Sequence, residues 1–260
     1  MKKDIYTLAK KAFVDTTDPH NFIVFDSNVL TLERLLSFYN DDFKIVLVQG
    51  EPGTGKTMLL KKFLLEKGKE KDLYGFFQPF FTLGEFKKNF MKKVLGVSSF
   101  DQISSRLRFT RPKTIVIDEA QILQPQILEM IRVLSDSRKF RFILAFHNSG
   151  SNEALLFKKH FRSRILGIVD VEPPNRNEFN IYIQKKLLNA GLLEFSKDFS
   201  LKKSNYIYKF VKGNLREANK FLYTLFDIME FFDKTRPTFV KRGTIEKKFL
   251  EMAAIHLGYL

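Results

Sequence analysis

Four residues of this 260-residue chain combine side-chain type and spacing in a way that could handle phosphate: Lys56, Thr57, Asp118 and Glu119. Lys56 and Thr57 close the run Gly50, Glu51, Pro52, Gly53, Thr54, Gly55, Lys56, Thr57, which fills every fixed position of the pattern G-x-x-x-x-G-K-[ST]. Glycines at 50, 53 and 55 permit backbone angles that side chains would block, so successive N–H groups can converge on one anion. The positive end of a following helix faces the same point. Lys56 can then reach the β and γ phosphates of a nucleotide, and the Thr57 hydroxyl can bind Mg²⁺. The candidate nucleotide-binding residues run from Gly50 through Met58.

The second pair ends the run TIVIDEAQ, residues 114–121. Ile115, Val116 and Ile117 read as a strand buried on both faces. Two carboxylates at its end are costly unless a cation or a hydrogen-bond network uses them. Beside a phosphate loop they form the acid pair of an NTPase, with Asp118 in the Mg²⁺ shell and Glu119 polarising the attacking water. The competing reading, an acidic cap on the helix at 125–134, does not explain why the apolar run and the loop occur together. A further strand at 140–146 ends at His147, Asn148 and Ser149, where a polar side chain could orient water or read the γ-phosphate, although Asn-Ser-Gly is also a good turn.

Positioning these groups requires a sheet with helices. The apolar run Ile45, Val46, Leu47, Val48 leads into the loop, and 58–66 continues as a helix stopping near Gly68. Residues 28–39 carry Leu32, Leu35 and Leu36 on one side of a helix that Asp26 or Ser27 could cap. Residues 73–81 read as a strand broken by Pro79, 84–95 as a helix ending at Gly96, 152–164 as a helix and 165–171 as a fifth strand. Pro173 and Pro174 mark a boundary. Beyond them only helical patterns occur, at 178–189, 199–212, 215–232 and 244–257. The expected fold is α/β: a P-loop NTPase three-layer αβα core with a parallel five-stranded sheet over residues 1–172, followed by an all-helical lid over 173–260.

Composition narrows the class. With no Cys, disulfide and thiolate-metal chemistry are excluded. The basic N-terminal stretch MKKDIYTLAKKAF lacks the continuous apolar core of a signal peptide, and no apolar run reaches the ~18 residues of a spanning helix, so a cytoplasmic chain without a transmembrane segment is expected. The charge, 44 basic against 29 acidic residues, net +15, suits a surface for nucleic acid or anionic lipid. A lysine-rich, phenylalanine-rich genome (29 Phe, no Trp) would produce the same balance, and the lysines are spread rather than clustered.

The chain resembles the AAA+ ATPases. More narrowly, it is similar to the ExeA/GspA type of the general secretion pathway, which is related to transposition helper ATPases. The resemblance rests on the order of several blocks: AFVDTTDPHNFIVFDSNVLTLERLL, GEPGTGKT, FFQPFFTLGEF, TIVIDEAQILQPQILEMIRVLSD, FILAFHN, FRSRILGIVDVEPPNRNEFNIYIQKKLLNAG and KGNLREANKFL. It implies that ATP, with Mg²⁺, is the nucleotide. It further implies that Gln78 tethers the catalytic Glu119 at rest, and that His147 or Asn148 is sensor 1, where that family usually has Gln-Pro. Arg164, with Arg162 in reserve, matches the arginine finger that acts on a neighbour's nucleotide, and Arg216 matches the lid arginine of sensor 2. The implied protein is a homo-oligomeric switch or motor. Larger members of that family carry a membrane helix and a cell-wall-binding domain. Without them, any work in assembling a secretion or DNA-uptake apparatus would be peripheral to the inner membrane, through a membrane-apparatus partner. The alternative is a DNA-binding ATPase of the transposition-helper or replication-initiator kind.

Overall fold

The computed structural model describes residues 5–68, 72–97, 111–147 and 159–260. Five strands form one parallel sheet: β1 (Ile45–Gly50), β2 (Leu73–Phe76), β3 (Lys113–Ile117), β4 (Phe140–His147) and β5 (Ile165–Asp170), in the order β2-β3-β4-β1-β5. The expected five-stranded parallel sheet is therefore present. Strand β2 stops at Phe76, five residues before the end of the expected run, because the chain turns away ahead of Pro79, which has no N–H for a ladder.

Strands β1, β3 and β4 alternate strictly between two cores. Ile45 and Leu47 of β1, with Ile115, Ile117, Phe142 and Leu144, face one helical layer. Val46 and Val48, with Val116, Ile143 and Ala145, face the other. That is the period of two expected of a sheet covered on both sides. The first layer holds α4 (Leu83–Phe90) and α5 (Pro125–Asp136), and the second holds α2 (Asp26–Asn40) and α3 (Lys56–Glu66). Helix α4 continues as a wider π turn over Met91–Leu95 and ends at Gly96, whose φ of 68° suits a residue without a side chain. Of the helix expected at 152–164, the described part is α6 (Lys159–Arg162).

After Pro173 the chain is helical: α7 (Arg176–Asn189), α8 (Leu193–Asp198), α9 (Leu201–Val211), α10 (Leu215–Thr235) and α11 (Lys247–His256). The expected helix at 199–212 begins only at Leu201, after the separate short α8. These helices enclose a third core rich in aromatic rings, including Phe179, Phe195, Phe221 and Phe226. A helix without a counterpart in the sequence reading, α1 (Ile5–Ala12), joins that core through Tyr6 and Ala9. Phe13, Ile23 and Phe25 follow it. The helical unit thus draws in residues that a division at 172/173 assigns to the sheet unit. Lys10 at the end of α1 holds Asp227 of α10 at 2.8 Å and also reaches Glu230. Long-range packing of this kind leaves no local trace in a short basic segment.

Candidate nucleotide site at the carboxyl edge of the sheet

All five strands run parallel, so their carboxyl ends lie along one edge. β4 is inserted between β1 and β3, and the chain crosses to β5 on the other side of β1. A crevice outside the carboxyl ends at such a crossover is where open α/β sheets take ligands. The loop after β1, the carboxylates after β3 and His147 at the end of β4 meet there.

The loop is shaped by its glycines. Gly53 has φ of 80°, and Gly55, the residue before α3, has φ of 99°. Lys56 is only 5% exposed. Its ammonium donates to the carbonyls of Gly50 (2.8 Å) and Glu51 (2.9 Å) and to His147 Nδ1 (2.9 Å), which occupies its three donors. Burial lowers its pKa to about 8, against the opposing pull of Asp118 and Glu119.

Thr57 Oγ1 donates to Asp118 Oδ2 at 2.5 Å, and the N–H of Glu119 donates to Asp118 Oδ1 at 3.0 Å. Asp118 is 3% exposed, and burial raises its pKa in spite of these bonds. A hydroxyl and a carboxylate oxygen in contact at the mouth of a phosphate loop are the hard donors that Mg²⁺ prefers. Among the described residues no group of three or more His, Cys, Asp or Glu could hold a metal alone, so a cation here would share its coordination with water and phosphate.

Glu119 adopts φ 54°, ψ 38°, a left-handed conformation uncommon outside glycine and asparagine. The turn swings its carboxylate toward β4, where Oε2 lies 3.1 Å from His147 Nε2 and also accepts from the Gln121 amide. Lysine can only donate, so His147 Nδ1 must accept from Lys56 and Nε2 must carry the hydrogen given to Glu119. One imidazole thus bridges the loop lysine and the second carboxylate. The expected tether, Gln78, is exposed beyond the end of β2, and Gln121 and His147 hold Glu119 instead. Asn148 lies outside the described residues.

The two arginines before β5 part company. Arg164 forks onto Asp136 at the end of α5, with Nε to Oδ1 at 2.8 Å and Nη2 to Oδ2 at 2.6 Å. Lys44 (2.7 Å) and Arg132 (3.2 Å) share the same carboxylate. Arg164 foremost, then Lys44, holds the Asp136 carboxyl well below the usual range. The expected finger is therefore engaged within its own chain, whereas Arg162 is exposed.

The helical unit closes the cleft from the other side. Arg216, in the first turn of α10, lines it together with Lys56 and Glu119 and approaches Asp15 at 3.4 Å. The preceding Asn214 accepts from the N–H groups of Arg216 (3.0 Å) and Glu217 (3.1 Å), which caps α10, and its amide donates to the Pro52 carbonyl at 3.1 Å. The Leu215 N–H donates to the Gly53 carbonyl at 2.9 Å. A Cβ at position 53 would lie 2.1 Å from Asn214 Oδ1, so the glycine is required by the approach as well as by φ. Asn214 had no role in the sequence reading, although Asn followed three residues later by Glu before an apolar run is a helix-start signature. Phe22, Ile23, Phe25, Tyr182, Lys186 and Asn219 also line the cleft.

Fold and site together define the P-loop AAA+ fold with its helical unit. Residues 40–155 match the family model described as an AAA domain. The RuvB Holliday junction branch migration motor of Thermotoga maritima is similar at 18% identity over 94% of this chain and 73% of that one, with a TM-score of 0.59. The Aeropyrum pernix ORC1 protein, solved in complex with DNA, is similar at 12% identity over 95% and 69%, TM-score 0.63. Domain III of the Thermotoga maritima replication initiation protein DnaA is similar at 17% identity over 92% and 96%, TM-score 0.53. At these identities the likeness concerns the fold. No curated protein matches the chain.

Proposed function

We propose that this protein binds ATP with Mg²⁺ and hydrolyses it as a self-assembling switch. The observation that carries this reading is the convergence on one cleft of Lys56, the Thr57–Asp118 pair, the His147-held Glu119 and Arg216 from the helical unit. Mg²⁺ bound at Thr57 and Asp118 would neutralise charge on the β and γ phosphates. Glu119, released from His147 and Gln121, takes the proton of the attacking water as its oxygen bonds to the γ-phosphorus and the bond to ADP breaks. His147 then senses the γ-phosphate through the position it shares with Lys56. Arg216 reports the same phosphate to α10. The exposed Arg162 takes the finger role toward a neighbouring copy, since Arg164 is paired with Asp136. The test is ATP turnover per subunit across protein concentration. Turnover that rises with concentration supports the reading, and no ATP binding or turnover at any concentration defeats it.

The partner has two readings. The order of sequence blocks favours the ExeA/GspA type and a protein partner in a secretion or DNA-uptake apparatus at the inner membrane. The net charge of +15 favours DNA, and the similar folds include an ORC1 protein in complex with DNA and a Holliday junction branch migration motor. Among the described residues no helix is long and apolar enough to cross a membrane. Duplex-DNA affinity over a salt series separates the two, because phosphate contacts make affinity fall steeply with salt.

A further inference from the structure

The cleft contains a buried cation that the hydrolysis chemistry does not use. Lys186 of α7 is 8% exposed and lines the wall formed by the helical unit. Its ammonium donates to Asn219 Oδ1 at 3.1 Å and lies over the rings of Phe13 (5.5 Å) and Tyr182 (5.3 Å). Among the described residues that amide oxygen is its one hydrogen-bond acceptor, whereas an ammonium carries three donors. The Tyr182 hydroxyl donates to the same oxygen at 2.8 Å. Lysine cannot accept, so the atom facing it must be the amide oxygen, and two donors fill its lone pairs. Asn219 is left with its Nδ2 to offer. The wall therefore presents donors and calls for a ligand that presents acceptors.

Position indicates which part of a ligand that is. Asp118 and Glu119 act electrostatically on Lys56, whereas the charge that acts on Lys186 is Asp15. Lys186 thus feels Asp15 rather than the acid pair, and it lines the same cleft as Phe22, Ile23 and Phe25. Aromatic and aliphatic walls with a few placed donors suit a flat heterocycle and its sugar. We propose that Lys186 is a specificity-determining residue that donates to an acceptor on the nucleoside, a ring nitrogen or a ribose oxygen, and so distinguishes a nucleotide from a bare polyphosphate. The proposal rests on the nucleotide-binding reading above. Burial lowers the Lys186 pKa to about 8, as expected of an ammonium short of acceptors until a ligand supplies one.

The test compares the affinity of the full chain and of Lys186→Met for ATP and for inorganic tripolyphosphate, with melting temperature as a check on folding. Lys186→Met should weaken ATP binding by roughly tenfold or more, the scale of a hydrogen bond from a charged donor, and leave tripolyphosphate binding within about twofold. Equal loss for both probes, or no loss for ATP, overturns the proposal. With the wild-type chain, ATP analogues lacking each ring nitrogen, each ribose hydroxyl or the ribose ring oxygen in turn give a readout independent of the variant. One of them should bind about tenfold more weakly, and its identity separates base from sugar. Uniform binding of all analogues overturns the proposal. A wild-type chain that binds tripolyphosphate but gains nothing from the nucleoside overturns it while sparing the phosphate site. A chain that binds neither overturns the nucleotide reading itself.

Discussion

The Asn214 amide donates to the Pro52 carbonyl at 3.1 Å while its oxygen caps α10, so one side chain joins the phosphate loop to the helix bearing Arg216. Movement of the helical unit cannot occur without breaking or dragging these contacts. Asn214→Ala removes both functions and should cost about 1 kcal/mol, a fall in melting temperature of a few degrees. Asn214→Ser keeps an acceptor for the cap and loses the bond to Pro52. It should melt close to wild type yet show faster amide exchange in the loop. Equal protection of the loop in Asn214→Ser and wild type would show that the bridge does not restrain it.

Glu119→Gln should retain ATP affinity and lose turnover by about 10²-fold or more, the usual worth of a positioned general base. Binding by calorimetry and phosphate release measure the two halves. Turnover near wild type would remove Glu119 from the base role.

Arg164→Ala and Arg162→Ala should differ in kind. Loss of Arg164 leaves Asp136 to Lys44 and Arg132, so the expected result is a drop of about 1 kcal/mol in stability, modest because the pair is partly exposed. The folded-state carboxyl is depressed by Arg164, so its contribution is present above the ordinary value of 3.8 and lost as pH falls below it. Wild type and variant should therefore converge in acid. Arg162→Ala should melt like wild type and lose the concentration-dependent part of the ATPase, where trans fingers contribute about 10³-fold or more. The reverse pattern would return the finger to Arg164.

ATP affinity should fall as pH rises through about 8. The Lys56 ammonium is charged below that value, and a bound triphosphate raises its pKa, so binding takes up a proton above it. Titrations from about pH 7 to about pH 9 should show progressive weakening, and a flat profile would contradict a cationic Lys56 contact. Lys186 adds a stability effect of its own. Its folded pKa of about 8 lies below the ordinary 10.5, so the cost of burying its charge is full below 8 and is relieved as pH rises toward 10.5. Without ligand, Lys186→Met should melt at or above wild type near neutral pH, and the gain should shrink in alkali.

Legibility in the sequence followed chemical locality. The phosphate loop could be read because its glycines, Lys56 and Thr57 are consecutive and the backbone angles needed are set within eight residues. The strands could be read because burial on both faces demands unbroken apolar runs, as in Ile45 to Val48 and Ile115 to Ile117. The place of Gln78 was not legible because it depended on how far β2 continues, and the chain leaves the sheet at Phe76. Arg162 and Arg164 look alike in a string, and only the approach of Asp136 from α5 separates them.

By itself, then, the amino-acid order determined the α/β class, the parallel sheet, the glycine-rich loop and the acidic strand end, because each depends on residues adjacent in the chain. The tertiary structure decided what depends on segments far apart. It set the crossover that brings His147 between Lys56 and Glu119, the packing of residues 5–25 onto the helical unit, the Asn214 bridge to Pro52 and the burial of Lys186 against Asn219. Those pairings are fixed by which surfaces bury one another, and no short window of sequence contains both partners.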